Sequence, residues 1–487
     1  MEETNHFEKV KKGPMLAIML VGAFMGLLNE TLLATALPSI MDYFDIQRNE
    51  VQWLTTAFLL TNGVMIPISA FLIERFSTRQ LFITALSIFA TGTLVATLSN
   101  TFWLLLIARV IQAGGSGIML PLLMTVMLTV IPIERRGAAM GTVGIVISFA
   151  PAIGPTLSGW LLEFVEWRGL FYVVLPIAAI AIIGASIFTK NVTKLTYPKI
   201  DILSIILSSL GFGGLLYGFS SFGGGHSAEA TSDFSWLSVG IIAASAIILT
   251  LFILRQMKME HPMLEFRVFK NPIFTLAIII TMIVLMALIG AETMLPLYMQ
   301  DTRGFSALES GLMLLPGAVV MGIMSPITGA LFDKFGAKWL AFSGLAIVSV
   351  TTFFFTNLSM DTPYAFLVVI YAIRMFGLSL TMMPVMTAGL NQLPESWHPH
   401  GSAMANTMQQ VSASIGTAIL VAVMTSRASS QMEGVNPAQI TTEVVNQANL
   451  SGYNTAFWLA TLLSVAGLVL SLFLTTKASE KAKQEAA

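Results

Sequence analysis

The sequence predicts an all-α polytopic membrane protein built from two related helix bundles, and three observations carry that prediction. The 487 residues are 55% hydrophobic and only 10% charged, a balance far too apolar for a chain whose surface faces water. Apolar runs of about twenty residues recur from one end to the other, each long enough to cross roughly 30 Å of hydrocarbon. The chain also repeats itself at long range. Ala70–Arg79, AFLIERFSTR, is echoed by Gly329–Lys338, GALFDKFGAK, and Arg109 with Pro121 is echoed more weakly by Arg374, Gly377 and Pro384. Parallel repeats of this kind belong to transporters assembled from two similar halves.

Taken in order, the spans fall at about 14–38, 51–73, 80–98, 102–131, 137–162 and 168–189. Two more, at about 200–221 and 236–255, have no counterpart elsewhere in the chain and are expected to be an insertion carrying a Gly/Ser-rich outer loop at 220–235. The second set follows at about 271–299, 309–332, 337–357, 362–391, 400–426 and 453–476. Fourteen spans result. They divide the chain into an N-terminal six-helix bundle (1–190), two linker helices (191–260) and a C-terminal six-helix bundle with a tail (261–487).

Lysine and arginine accumulate in cytoplasmic loops. With the N-terminus inside, nineteen of them occupy inner segments, from Lys9, Lys11 and Lys12 to Lys477, Lys481 and Lys483, against four outside, Arg48, Arg168, Arg303 and Arg427. Both termini are therefore expected in the cytoplasm, and the basic start is expected to lead into a retained first span rather than a signal peptide. Arg109 and Arg374 fall inside spans. A net charge of −1 offers no basic field for nucleic acid, and the absence of cysteine excludes disulfides and thiolate chemistry. No phosphate-binding Gly-rich loop with its lysine is present, so ATP is not expected to drive the protein. No His/Cys/acid cluster has metal-ligand spacing. The His398-Pro-His400 turn with Glu395 is the one candidate set for a membrane enzyme, and it is expected to be a solvated turn in an inner loop.

Within span five, GIVISFAPAIGPTLSGW (Gly144–Trp160) has two prolines, three glycines and no charge. Gly144, Pro151, Pro155 and Gly159 share one narrow helical face, with Gly154 between them. Small residues allow close helix approach in lipid. This face is expected to act as a bend and packing seam, with the small-residue run of span thirteen, Ser412–Thr417, as its partner.

Several stretches together resemble a known family. LNETLLATALP (Leu28–Pro38) closes span one and VQWLTTAFLL (Val51–Leu60) opens span two. Arg109, Gln112 and Gly115 follow in span four, with the Ala150–Trp160 segment in span five and WRGLFYVVLP (Trp167–Pro176) after it. GFSALESGLMLLPGA (Gly304–Ala318) and GSAMANTMQQVSASIGTA (Gly401–Ala418) lie in the second half. In this order they are similar to the fourteen-helix drug:proton antiporter family of the major facilitator superfamily, over nearly the whole chain. The resemblance implies the major facilitator fold and export of amphipathic, often cationic drugs in exchange for protons, by alternating access in a bacterial plasma membrane. The proton gradient would supply the energy with no cofactor, and the expected partners are small amphipathic molecules, protons and membrane lipid, with the chain acting as a monomer. A lipid or lipid-precursor flippase of the same fold is the alternative. A membrane enzyme is the more distant one. Two departures from the family pattern stand out. Its usual acid in span one falls on Asn29, with Glu30 next door and turned by about 100°, and the first inner-loop motif is degenerate at Ala70, Glu74 and Ser77.

An ionisable side chain in the bilayer core costs at least about 2.5–3.5 kcal/mol on insertion scales, which makes each one a functional candidate. Glu30 and Arg109 lie at similar depth, roughly 10–12 Å below the outer surface, and are expected to pair. The pair either carries protons, since pairing favours the carboxylate and desolvation the neutral acid, or statically fixes spans one and four. Glu292 in span nine is a second proton site or a contact for a cationic substrate, and Arg374 lies deeper. Asn29, Gln52, Trp53, Gln112, Arg374, Asn406, Gln409 and Gln410 are expected to line the substrate cavity, although the amides of span thirteen serve equally as glue between helices. Glu74 with Arg75, and Asp333 with Lys334, flank helix ends in the inner loops, where they can latch one conformation through neighbouring helix termini.

Overall fold

The computed structural model describes residues 12–193, 195–198, 200–222, 236–432 and 441–474. Lys9, Lys11, Lys194, Lys199, Lys477, Lys481, Lys483, His6 and His226, and the expected outer loop from 223 to 235, lie outside the described residues. Fourteen helices long and apolar enough to cross a membrane are present among them. In chain order they are α1 (Lys12–Leu32), α2 (Trp53–Arg75), α3 (Thr78–Thr97), α4 (Phe102–Val130), α5 (Arg136–Leu162), α6 (Arg168–Phe188), α7 (Ile202–Phe222), α8 (Trp236–Lys258), α9 (Pro272–Leu297), α10 (Ala307–Phe335), α11 (Ala337–Phe354), α12 (Tyr364–Leu390), α13 (His398–Met432) and α14 (Thr442–Ser471).

The helix starts follow from local chemistry. The Ser77, Thr101 and Asn271 side chains accept backbone N–H groups at the heads of α3, α4 and α9. Ser306 and Glu309 form a reciprocal capping box at α10. Each side-chain acceptor satisfies donors that the first helical turn leaves free.

Packing is densest where side chains are smallest. At Gly115 on α4 a Cβ would overlap the Ala85 carbonyl of α3, and at Gly344 on α11 it would meet the Gly377 carbonyl of α12 at 2.5 Å. The α3–α4 and α11–α12 crossings therefore correspond to one another, as the sequence repeat predicts.

The halves meet along α5–α10 and α2–α13, with further contacts between α5 and α12 and between α4 and α13. Span five thus finds its partner in α10, not in span thirteen. The run at Ser412–Thr417 packs elsewhere, Gly416 lying against Met286 of α9. Gly137, Gly141 and Gly144 of α5 abut Gly329, Ser325 and Pro326 of α10 so tightly that a methyl group on any of them would overlap the partner helix. The inserted helices α7 and α8 pack on one another, and α7 lies over α2 and α13.

Candidate functional site

Two fully buried arginines, Arg109 and Arg374, sit at equivalent positions in the two halves, and each is held by a different set of uncharged hydrogen-bond partners. A guanidinium in an apolar interior is costly, and each donor that finds an acceptor lowers that cost. The Nη1 of Arg109 donates to Asn29 Oδ1 and to Gln112 Oε1 at 3.0 Å, Nη2 to the Asn29 carbonyl at 3.3 Å, and Nε to the Leu54 carbonyl at 3.3 Å. Its Cζ lies 4.1 Å from the centre of the Phe58 ring, a cation–π contact. Gln112 Nε2 donates onward to Thr93 Oγ1 at 2.9 Å. Four helices, α1 to α4, converge on this one cation.

The expected Glu30–Arg109 ion pair is not made. The one-residue step along α1 turns Asn29 toward α4 and leaves Glu30 facing α2, where it accepts a bond from Asn62 Nδ2 at 3.4 Å. Glu30 is half-buried, in contrast to Asn29 and Arg109, which are closed off from solvent. It borders the interior of the bundle without being sealed in it. Asn62 is the residue that sequence reasoning missed, and its signal was an amide in the middle of an otherwise apolar span.

In the second half, Arg374 Nε donates to Thr352 Oγ1 at 3.1 Å and Nη2 to the Ala287 carbonyl at 2.7 Å, while Nη1 has no hydrogen-bond partner. Glu292 stands five residues beyond Ala287 on α9 and is half-buried. Tyr371, three residues before Arg374 on α12, is buried at 2% exposure.

Several expected cavity residues are placed otherwise. Gln112 and Arg374 are fully buried in these networks and line no open space. Asn406 is buried between α13 and α4, donating to the Ser402 carbonyl at 2.8 Å and the Met124 sulfur at 3.1 Å, so in this state it joins helices. Trp53 stacks on Tyr217 of the inserted α7, with ring centres 5.8 Å apart and a 20° tilt, instead of lining an interior cavity. Gln52, Gln409 and Gln410 remain half-buried.

At the end rich in lysine and arginine, acids reach across between the halves. Asp333 accepts the Gly137 and Ala138 N–H groups at 2.8 and 3.0 Å, capping the first turn of α5, where the helix dipole favours an anion. Lys334 beside it is exposed. The related Glu74 meets a side chain in place of backbone, its Oε1 lying 2.9 Å from His400 Nε2 near the start of α13. Arg75 donates to the Pro198 carbonyl at 2.6 Å. His398 and His400, expected in a solvated turn, are buried at 2% and 5% exposure. The Glu265 N–H donates to His400 Nδ1 at 3.3 Å, leaving Nε2 to carry the proton that faces Glu74.

Comparisons with known proteins bear on what such a molecule does. The Major Facilitator Superfamily profile matches residues 19–417. The chain belongs to the major facilitator superfamily. It is 53% identical over 473 residues to the uncharacterized MFS-type transporter YcnB of Bacillus subtilis, covering 97% of each chain. It is 43% identical to the lincomycin resistance protein LmrB of Listeria monocytogenes, over 97% of this chain and 99% of that one. The multidrug transporter protein MdtP of Bacillus subtilis is 29% identical, over 88% of this chain and 78% of its own length. Among solved structures, the human organic anion transporter MFSD10 superposes with a TM-score of 0.67 at 13% identity, over 95% of this chain and all of that one, a likeness of fold. This superfamily member is accordingly a membrane transporter and not an enzyme, with two six-helix bundles and two inserted helices.

Proposed function

We propose that this transporter is a proton-coupled exporter of amphipathic, often cationic compounds, working by alternating access in a bacterial cell membrane with both termini in the cytoplasm. It needs no cofactor beyond the proton gradient and works as a monomer. The observation that carries the reading is the separation of roles at the first arginine. Asn29, Gln112 and two backbone carbonyls satisfy Arg109, so Glu30 is free to gain or lose a proton without dismantling the network that holds α1 to α4 together. A half-buried carboxyl near a buried cation changes its preferred charge state as water reaches it or leaves it, which is what coupling to a moving cavity requires. The printed names of LmrB and MdtP support a drug-like substrate. Packing at the basic end, which the lysine and arginine bias assigns to the cytoplasm, supports a state closed on that side. Glu292, half-buried on α9, is a second candidate carboxyl in the other half.

The test is export of a lipophilic cation from proteoliposomes, read together with proton release. Glu30→Gln is expected to abolish drug-driven proton release while Arg109 keeps its partners and the protein stays folded. Unchanged proton release in that variant would overturn the assignment of Glu30.

A further inference from the structure

The turn that joins α11 to α12, at the end of the molecule poor in lysine and arginine, is pinned through its backbone by the helices around it. The Asn454 side chain of α14 accepts the Leu358 N–H at 2.9 Å and donates to the Leu358 carbonyl at 3.1 Å. The Tyr298 hydroxyl, just beyond α9, donates to the Ser359 carbonyl at 2.6 Å, and Arg303 Nη1 donates to the Thr362 carbonyl at 2.6 Å. Within the turn the Ser359 N–H donates to Thr362 Oγ1 at 2.9 Å. Two polar side chains of the same turn are left out of this arrangement. Asn357 and Asp361 are exposed, and neither side chain makes a hydrogen bond or ion pair among the described residues.

The turn rims a recess of about 640 Å³ between α11, α12 and α14. Two edge-to-face aromatic pairs wall it, Phe353 with Trp458 at 5.3 Å between ring centres and Phe354 with Phe366 at 6.3 Å. Phe353, Phe354 and Trp458 each leave close to half their surface uncovered. Asp361 is the one charged residue lining the recess among the described residues, since Arg303 holds the turn from outside the lining. Ring faces beside an unpartnered carboxylate favour an organic cation, through the ring quadrupole and a charge-assisted hydrogen bond. Below the recess the face of α14 that begins at Trp458 continues through Leu462, Val465 and Val469, four, seven and eleven residues on. All three are exposed, as is Val350 one turn before the phenylalanines of α11. From Trp458 to Val469 this apolar track is about 16 Å long, one leaflet of a hydrocarbon core roughly 30 Å thick. Anchoring at the membrane interface accounts for the rings by themselves, but not for their enclosing a recess headed by a carboxylate on a pinned turn.

We propose that this recess binds the headgroup of a phospholipid carrying a free ammonium, phosphatidylethanolamine, with an acyl chain laid along the α11–α14 face. The ammonium sits against Asp361 and the rings of Phe353 and Trp458, and the Asn357 amide offers the phosphate an uncharged donor. The chain then follows Leu462, Val465 and Val469. The lysine and arginine bias makes this the outer leaflet. A water-soluble ammonium compound would meet the same carboxylate but would make no use of the track beneath it. A phosphatidylglycerol would bring its phosphate to Asp361 without a cation to offset the repulsion. The site stands apart from the two buried arginines, and its occupancy does not depend on which compounds are transported.

The test is native mass spectrometry of the full chain released from nanodiscs holding equal amounts of phosphatidylethanolamine and phosphatidylglycerol. The unaltered protein is expected to retain phosphatidylethanolamine at least tenfold over phosphatidylglycerol. Asp361→Asn, at an exposed side chain with no bond to lose, should bring the two lipids within twofold of each other while the thermal transition stays unchanged. Phe353→Ala with Trp458→Ala should lower retention of phosphatidylethanolamine at least fivefold. A phosphatidylethanolamine with a photoreactive group near the top of its acyl chain is expected to label α14 between 458 and 469 and α11 between 350 and 354. Equal retention of the two lipids or of neither by the unaltered protein, an undiminished preference in Asp361→Asn, or labelling concentrated on other helices would each overturn the proposal. Displacement of the retained lipid by millimolar phosphoethanolamine, the headgroup without its chains, would assign the recess to water-soluble ammonium compounds and overturn the lipid as occupant.

Discussion

Removing the Asp333 carboxylate should open the basic end of the molecule. Asp333 accepts two backbone N–H groups of α5, at 2.8 and 3.0 Å, and both bonds cross from one half to the other. They exist only while α5 and α10 are together at that end. A hydrogen bond to a charged group is worth about 1.5–3 kcal/mol net, and water replaces part of it when the seam parts. A combined effect of about 2–3 kcal/mol on the closed-to-open balance corresponds to a shift of roughly 30–150-fold. Asp333→Asn keeps one acceptor oxygen without the charge and should shift the balance by only about 5–10-fold. The readout is a single cysteine in place of Ser325, which is 1% exposed and faces Gly141 and Gly144. In inside-out vesicles, its reaction with a membrane-impermeant maleimide reports how often the seam opens. The order of rates should be Ala fastest, Asn intermediate, unaltered slowest. Equal rates within twofold would refute the idea that Asp333 holds the seam.

Three further outcomes follow from particular contacts. His400→Ala leaves Glu74 without its partner across the halves and should raise labelling at the basic end about tenfold, whereas His400→Gln, which keeps a donor, should recover most of the closure. Gly115→Val should cost about 1–3 kcal/mol by overpacking against the Ala85 carbonyl, seen as an earlier thermal transition in detergent, while Gly159→Val should leave that transition unchanged. The Asp201–Arg255 pair, at 3.1 Å just before α7, should matter little to stability. Burial pushes the Asp201 carboxyl up, but the bonds from Arg255 and Ser204 outweigh it and hold it below its ordinary value of 3.8. Its contribution is present above that ordinary value and is lost only as pH falls through the lower folded value, so thermal stability should not change with this pair between about pH 5 and 8. Asp201→Asn should cost less than about 1 kcal/mol at pH 7 because the Arg255 side chain is 41% exposed and solvent screens the pair.

How much of this was legible in the sequence depends on which physical quantity each feature reports. Apolar runs report bilayer thickness, so the span count follows from them directly. They do not report helix length. α14 begins at Thr442, about ten residues before its expected start, because Thr441 caps a turn containing Glu443 that continues beyond the apolar core. The importance of Arg109 was readable from the cost of a cation in lipid, but its partner was not. Asn29 and Glu30 differ by one residue and about 100° of rotation, and only the packing of α1 on α4 decides which faces the cation. Arg374 takes a backbone carbonyl that any residue at position 287 would offer. The partner of α5 was misjudged for a related reason. Its counterpart by repeat is α13, but a two-fold relation pairs each helix with the counterpart of a different one, so α5 meets α10 as α13 meets α2.

That arrangement gives Gly154 a particular place. It faces Thr31 of α1 and not α10, and a Cβ there would overlap the Thr31 hydroxyl, with Thr31 Cβ at 3.1 Å and the Leu32 nitrogen at 3.3 Å. Thr31 is the next residue after Glu30. The helix that forms the seam with α10 at Gly137, Gly141 and Gly144 therefore presses, two to three turns later, on the backbone that carries the proposed proton site. A displacement of α1 that accompanies protonation of Glu30 would be felt by α5, and closure of the seam would be felt at Glu30. Gly154→Ala should wedge α1 away from α5 and lower proton-coupled export at least tenfold, with the protein still present in the membrane. Thr31→Ala in the same chain removes the hydroxyl that the new Cβ strikes, and should restore much of the loss. If Gly154→Ala were equally damaging with and without Thr31→Ala, the two residues would be acting independently, and the link between the seam and Glu30 would have to run through some other contact of α5.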